Sequence, residues 1–110
     1  MKNTIEIIKE FAQQVKEILG ENLVQVILYG SYARGDYREN SDIDIMLLTR
    51  LTDQQIEQVE NRIYDLAFDF QMEYFIDISV VIKNEEQFNY WLGALPFYDN
   101  VKKEGVVLNG

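Results

Sequence analysis

Residues 30–48 read GSYARGDYRENSDIDIMLL, and the run Asp42-Ile43-Asp44-Ile45-Met46-Leu47-Leu48 inside them decides the fold. Its apolar, β-branched character predicts a strand over residues 42–49. Successive side chains of a strand point to opposite faces. Ile43, Ile45 and Leu47 therefore fill a core, while Asp42 and Asp44 share the other side. Aspartate disfavours strands, and two carboxylates at this spacing repel each other. A bound divalent cation removes that objection by supplying the missing positive charge. For the pair taken alone, a solvated edge or a turn cap is the alternative.

Immediately upstream, Leu23 to Tyr29 (LVQVILY) is a β-rich run that stops at Gly30, which predicts a preceding strand. Residues 30–40 are polar and read as a loop with one helical turn. Glycine lets backbone N–H groups approach a phosphate, Ser31 adds a hydroxyl donor, and Arg34 offers a forked donor set. An isolated Gly-Ser is equally a glycine turn with a serine cap. Downstream, Thr52 with Gln55 forms a capping-box pattern that opens an amphipathic helix to about Met72. Phe75 to Ile82 (FIDISVVI) is expected to be a third strand, with Asp77 in its middle, where a lone charge is costly to bury. The helical crossover allows the second and third strands to lie parallel and adjacent, ~4.8 Å apart. Asp42, Asp44 and Asp77 would then converge on a patch able to hold two metal ions ~3.5–4 Å apart, the arrangement used for in-line displacement at phosphorus. The alternative for Asp77 is an ion pair with Arg34 or Arg62.

The rest of the chain fits one small domain over residues 1–110. Ile5, Ile8, Phe11, Ala12, Val15, Ile18 and Leu19 recur at helical spacing, with Gly20 as the cap. Asn84 and Gln87 open a helix through Trp91 or Leu92 that ends near Gly93, and Pro96 starts a short one. Gly105 precedes a final apolar stretch. The expected class is α+β: a small mixed β-sheet covered by helices, placed here over one face. Tyr90, Trp91, Leu95, Phe97 and Tyr98 cluster near the end. They suit either a partner surface or a helix packing on the sheet.

Composition narrows the chemistry. The chain has no cysteine and no histidine, which excludes disulfides, zinc sites, thiol nucleophiles and imidazole-based triads. Metal binding is left to oxygen, which suits magnesium, manganese or calcium. A net charge of −9 argues against direct nucleic-acid binding, which depends on basic residues, and suits a basic protein partner. No apolar run approaches the ~20 residues of a membrane span, and the charged N-terminus lacks a signal-peptide block. A cytoplasmic location is expected. Gly30 to Gly35 has Walker-type glycine spacing, but Asp36-Tyr37 stands where Lys-Ser/Thr is required. Asp42-x-Asp44 begins like an EF-hand loop, but Leu47 occupies the place of its glycine.

Gly30-Ser31, ten residues, then Asp42-Ile43-Asp44 resembles the signature of the DNA polymerase β-like nucleotidyltransferase superfamily. GSYARGDYRENSDIDIMLL, Asp77 on the later strand and the ending PFYDNVKKEGVVL look like its minimal nucleotidyltransferase (MNT) branch. The resemblance spans nearly the whole chain. It implies the polymerase β-like fold and transfer of AMP from ATP to a hydroxyl. It assigns Asp42, Asp44 and Asp77 as catalytic metal ligands for two magnesium ions, manganese being possible in their place. Gly30, Ser31 and Arg34 become nucleotide-binding residues, and Asp77 helps deprotonate the attacking oxygen. It further implies an antitoxin role toward a helical HEPN toxin, which such enzymes adenylylate, within a homo- or hetero-oligomer. Two other functions remain open: a non-catalytic antitoxin acting by complex formation, and an adenylyltransferase for a small hydroxylated molecule.

Overall fold

The computed structural model describes residues 2–109. Helix α1 (Thr4–Leu19) is capped at its start by Asn3, whose side chain accepts from the Glu6 N–H, and is closed by Gly20. A 3₁₀ turn (Gly20–Asn22) leads into β1 (Leu23–Tyr29), and a single helical turn, α2 (Ser31–Arg34), follows it. Strand β2 (Ile43–Thr49) is joined to β3 (Ile78–Asn84) by the long helix α3 (Asp53–Tyr74). Thr52 and Gln55 form the full reciprocal capping box of α3. Helices α4 (Glu85–Trp91, capped by Asn84) and α5 (Pro96–Glu104) then precede β4 (Val106–Val107).

The strands form one mixed sheet in the order β3-β2-β1-β4. β2 and β3 are parallel neighbours, as the crossover length predicts, while β1 runs antiparallel to both β2 and β4. Asn109 extends the β4 edge, its side-chain oxygen accepting from the Val26 N–H. No helix among the described residues is long and apolar enough to cross a membrane.

Helices cover both faces of the sheet, not one. Ile43, Ile45 and Leu47 of β2 join Phe11 and Val15 of α1 and Ile63 and Phe70 of α3 in the larger core. The alternate residues Met46 and Leu48 pack instead with Ile27, Phe88, Tyr98 and Val101. Coverage of one face was expected; α4 and α5 occupy the other because Phe88, Tyr98 and Val101 pack on Ile27, Met46 and Leu48.

A second correction concerns the third strand. It begins at Ile78, not Phe75, because α3 continues to Tyr74 and takes Phe75 as its left-handed cap, leaving residues 76–77 as the connection. The Tyr74 ring packs against Phe70 at 5.5 Å, and its hydroxyl reaches the Glu10 carboxylate at 3.3 Å, which secures the extra helical turn. Phe75 then caps α3 in the left-handed region, at φ 59°. Asp77 consequently lies one residue before β3 and is exposed, so it carries no burial cost.

Candidate active site

The site is assembled at the end of β1. Gly30 has φ 74°, a conformation that non-glycine residues reach only with strain. A Cβ at that position would also collide with the Asp44 carboxylate. Both constraints follow from register: Tyr29 stands opposite Asp44 in the β1–β2 ladder, so the turn that leaves β1 must pass directly over Asp44. Ser31 opens α2, whose first backbone N–H groups are left unpaired by helix geometry and have no side-chain cap. The carbonyl of Gly30 accepts from the Ala33 and Arg34 N–H groups, at 3.1 and 3.0 Å, and locks the turn.

Asp44 is half-buried and lies near Asp42, which is exposed just before β2. Burial pushes the Asp44 carboxyl above the usual carboxylate range, Asp42 raises it further, and Arg34 opposes both. Tyr29 is raised too, first by burial and then by Asp44. This part-buried, negatively charged pair is a place where an additional cation is stabilising.

Around Asp44 opens a cavity of about 450 Å³, within the size range of small-ligand sites. Tyr29, Gly30, Ser31, Arg34 and Asp44 line one side; Phe97, Asn100 and Glu104 of α5 line the other. The Arg34 guanidinium is held by Asp36 at 3.2 Å and Glu104 at 3.1 Å, so it ties α2 to the end of α5.

Five of the six residues expected from sequence are thus brought together: Gly30, Ser31, Arg34, Asp42 and Asp44. Asp77 is placed differently. Its carbonyl accepts from the Ile43 N–H at 2.8 Å, which sets its backbone beside the start of β2. Asp77 also lines a separate cavity of about 300 Å³ with Gln71, Met72 and Phe75. Among the described residues no three carboxylates stand close enough to form a ready metal-ligand set. Asp42 and Asp44 fit a hard cation by donor chemistry and by mutual repulsion.

Residues 8–107 match the model of the nucleotidyltransferase domain. The chain belongs to that family. This nucleotidyltransferase is 37% identical over 106 residues to a Methanocaldococcus jannaschii chain named "Putative protein adenylyltransferase", covering 96% of this chain and 98% of that one. Two solved structures share its fold. One, a toxin-antitoxin structure with AMP-PNP, gives a TM-score of 0.57 at 22% identity over 93% of this chain and 73% of that one. The other, a Shewanella oneidensis tri-AMPylated HEPN toxin in complex with its MNT antitoxin, gives 0.55 at 18% identity over 96% and 71%. The α+β class and the nucleotidyltransferase resemblance expected from sequence are met.

Sequence reasoning did not assign the far wall of the cavity. One signal was available for it. Phe97 and Tyr98 are adjacent on a short helix, where neighbours diverge by about 100°, so one of them can be left at the edge of its apolar stripe. Tyr98 is buried and Phe97 is left at the cavity.

Proposed function

We propose that this nucleotidyltransferase transfers AMP from ATP, with magnesium, to a hydroxyl of a partner protein, and that it is the antitoxin of a HEPN toxin that it adenylylates. The observation that carries the reading is the closure of the Gly30–Ser31 turn onto Asp44 at the mouth of a cavity large enough for a nucleotide. Asp42 and Asp44 would hold the metal, which supplies charge neutralisation to the triphosphate. Ser31 and the free N–H groups of α2 would orient the terminal phosphates. Arg34, fixed by Asp36 and Glu104, would add positive charge at the same wall. The attacking oxygen would form a bond to the α-phosphorus as the bond to pyrophosphate breaks, and Asp77, whose backbone stands beside the start of β2, would take the hydroxyl proton. Such catalysis rests on positioning and charge, which requires no histidine.

A protein acceptor is supported by α3. That helix carries Asp53, Glu57, Glu60, Asp65, Asp69 and Glu73 against Arg62 alone. It also exposes Tyr64, Phe68 and Met72, and Phe75 just beyond it is 89% exposed. An acidic helix that also exposes apolar residues suits a basic protein better than a small hydroxylated molecule. The test is incubation of the chain with labelled ATP, magnesium and the product of the neighbouring gene, followed by mass spectrometry. An added AMP on a tyrosine, lost with Asp44→Asn and Asp77→Asn, is the expected result. A stable complex without any added mass would establish a binding antitoxin instead.

A further inference from the structure

We infer that Phe97 and Asn100 of α5 form the nucleobase site, with Phe97 as the stacking platform and Asn100 as the reader of an adenine edge. The inference rests on the nucleotide site proposed above and gives its unassigned wall a residue-level identity. One wall of the cavity is the Gly30–Ser31 turn with Asp44; the facing wall is α5. A nucleotide whose phosphates lie against the first wall can set its base against the second.

The facing wall has the chemistry a base requires. Phe97 is 43% exposed although it belongs to a helix whose neighbouring Tyr98 is 9% exposed and packs against Phe88. The Tyr29 ring meets Phe97 edge-on, with centroids 5.7 Å apart and planes at 80°. An edge-on neighbour fixes the orientation of the Phe97 ring without stacking on its face. Asn100 stands three positions later, on the same side of α5, and also lines the cavity. Its side-chain amide makes no hydrogen bond among the described residues, whereas the Arg34 guanidinium and Glu104 are occupied with each other. A carboxamide presents one donor and one acceptor side by side, the pattern that pairs with adenine N6 and N7. The Arg34–Glu104 ion pair, at 3.1 Å, joins the phosphate-side turn to the base-side helix.

Titration calorimetry of the full chain in magnesium tests this with two probes, ATP and inorganic tripolyphosphate, which lacks a base. Phe97→Leu keeps an apolar contact to Tyr29 but removes the ring. It should weaken ATP roughly 10- to 100-fold, the effect of deleting one stacking aromatic, and leave tripolyphosphate unchanged. Phe97→Trp should retain ATP, and Asn100→Leu should reduce the preference for ATP over GTP. ATP affinity unchanged in Phe97→Leu overturns the base site while leaving the phosphate site standing. Equal losses for ATP and tripolyphosphate also overturn it, since they indicate a general disturbance of α5. A wild-type chain that binds neither probe overturns the nucleotide site itself and the inference with it.

Discussion

The two faces of the sheet are built from alternate residues of the same strands, yet they do different work. Ile43, Ile45 and Leu47 enter a core that α1 and α3 fill with Phe11, Val15, Ile63 and Phe70. Asp42 and Asp44, interleaved with them, open onto the other side, where α4 and α5 supply a much smaller apolar cluster around Met46 and Tyr98. Burial of apolar area scales with stability, so the first face holds the fold while the second is free to carry repelling carboxylates and a glycine with positive φ. A site placed on the larger core would have put those costs where packing is tightest.

The largest break in this comparison should come from the first face. Phe11 is fully buried and meets Phe70 edge-on at 5.3 Å. Phe11→Ala is expected to lower stability by about 3–5 kcal/mol in urea denaturation, with nucleotide affinity of the folded fraction unchanged. Gly30→Ala comes next, from the second face. Strain at its backbone angle costs about 1–3 kcal/mol, and the new methyl displaces Asp44. Calorimetry with magnesium and ATP should show binding lost while the circular dichroism of the folded chain persists. The smallest effect on stability is that of Asp44→Asn without metal. The Asp44 carboxyl is raised by burial and by Asp42, so the folded state holds its proton more tightly than the unfolded state does. Native stability from this group is therefore greatest below the ordinary carboxylate value and declines as pH rises through the raised one. Removing the charge should flatten that slope and raise neutral-pH stability by less than about 1 kcal/mol, since the group is partly exposed and screened. An unchanged pH profile of urea midpoints would mean that neither burial nor Asp42 perturbs the Asp44 carboxyl in the fold.

The same comparison explains what could be read beforehand. β1 and β2 were legible because alternation and the glycine that ends β1 are local signals, and the parallel β2–β3 pair followed from the length of α3. The start of β3 was not legible, because Phe75 is held as the left-handed cap of α3 and residues 75–77 leave the helix as a connection although they look like a strand. That cap also moved Asp77 from a buried strand interior to an exposed connection. The helices opening at Asn84 and Pro96 were legible, but their place on the second face was not, because Phe88, Tyr98 and Val101 matter only once Ile27, Met46 and Leu48 are beside them.

By itself the sequence determined which residues are available to the site. Gly30-Ser31 and Asp42-x-Asp44 are short-range patterns whose meaning depends on strand alternation and turn sterics, and the lack of histidine and cysteine leaves only oxygen ligands. Tertiary structure decided the shape of the site. Only register places Tyr29 and Gly30 over Asp44, and only the return of α5 across the second face brings Phe97, Asn100 and Glu104 to a turn far away in sequence. Contacts between distant segments depend on how the whole sheet and its helices pack, and no local pattern encodes that.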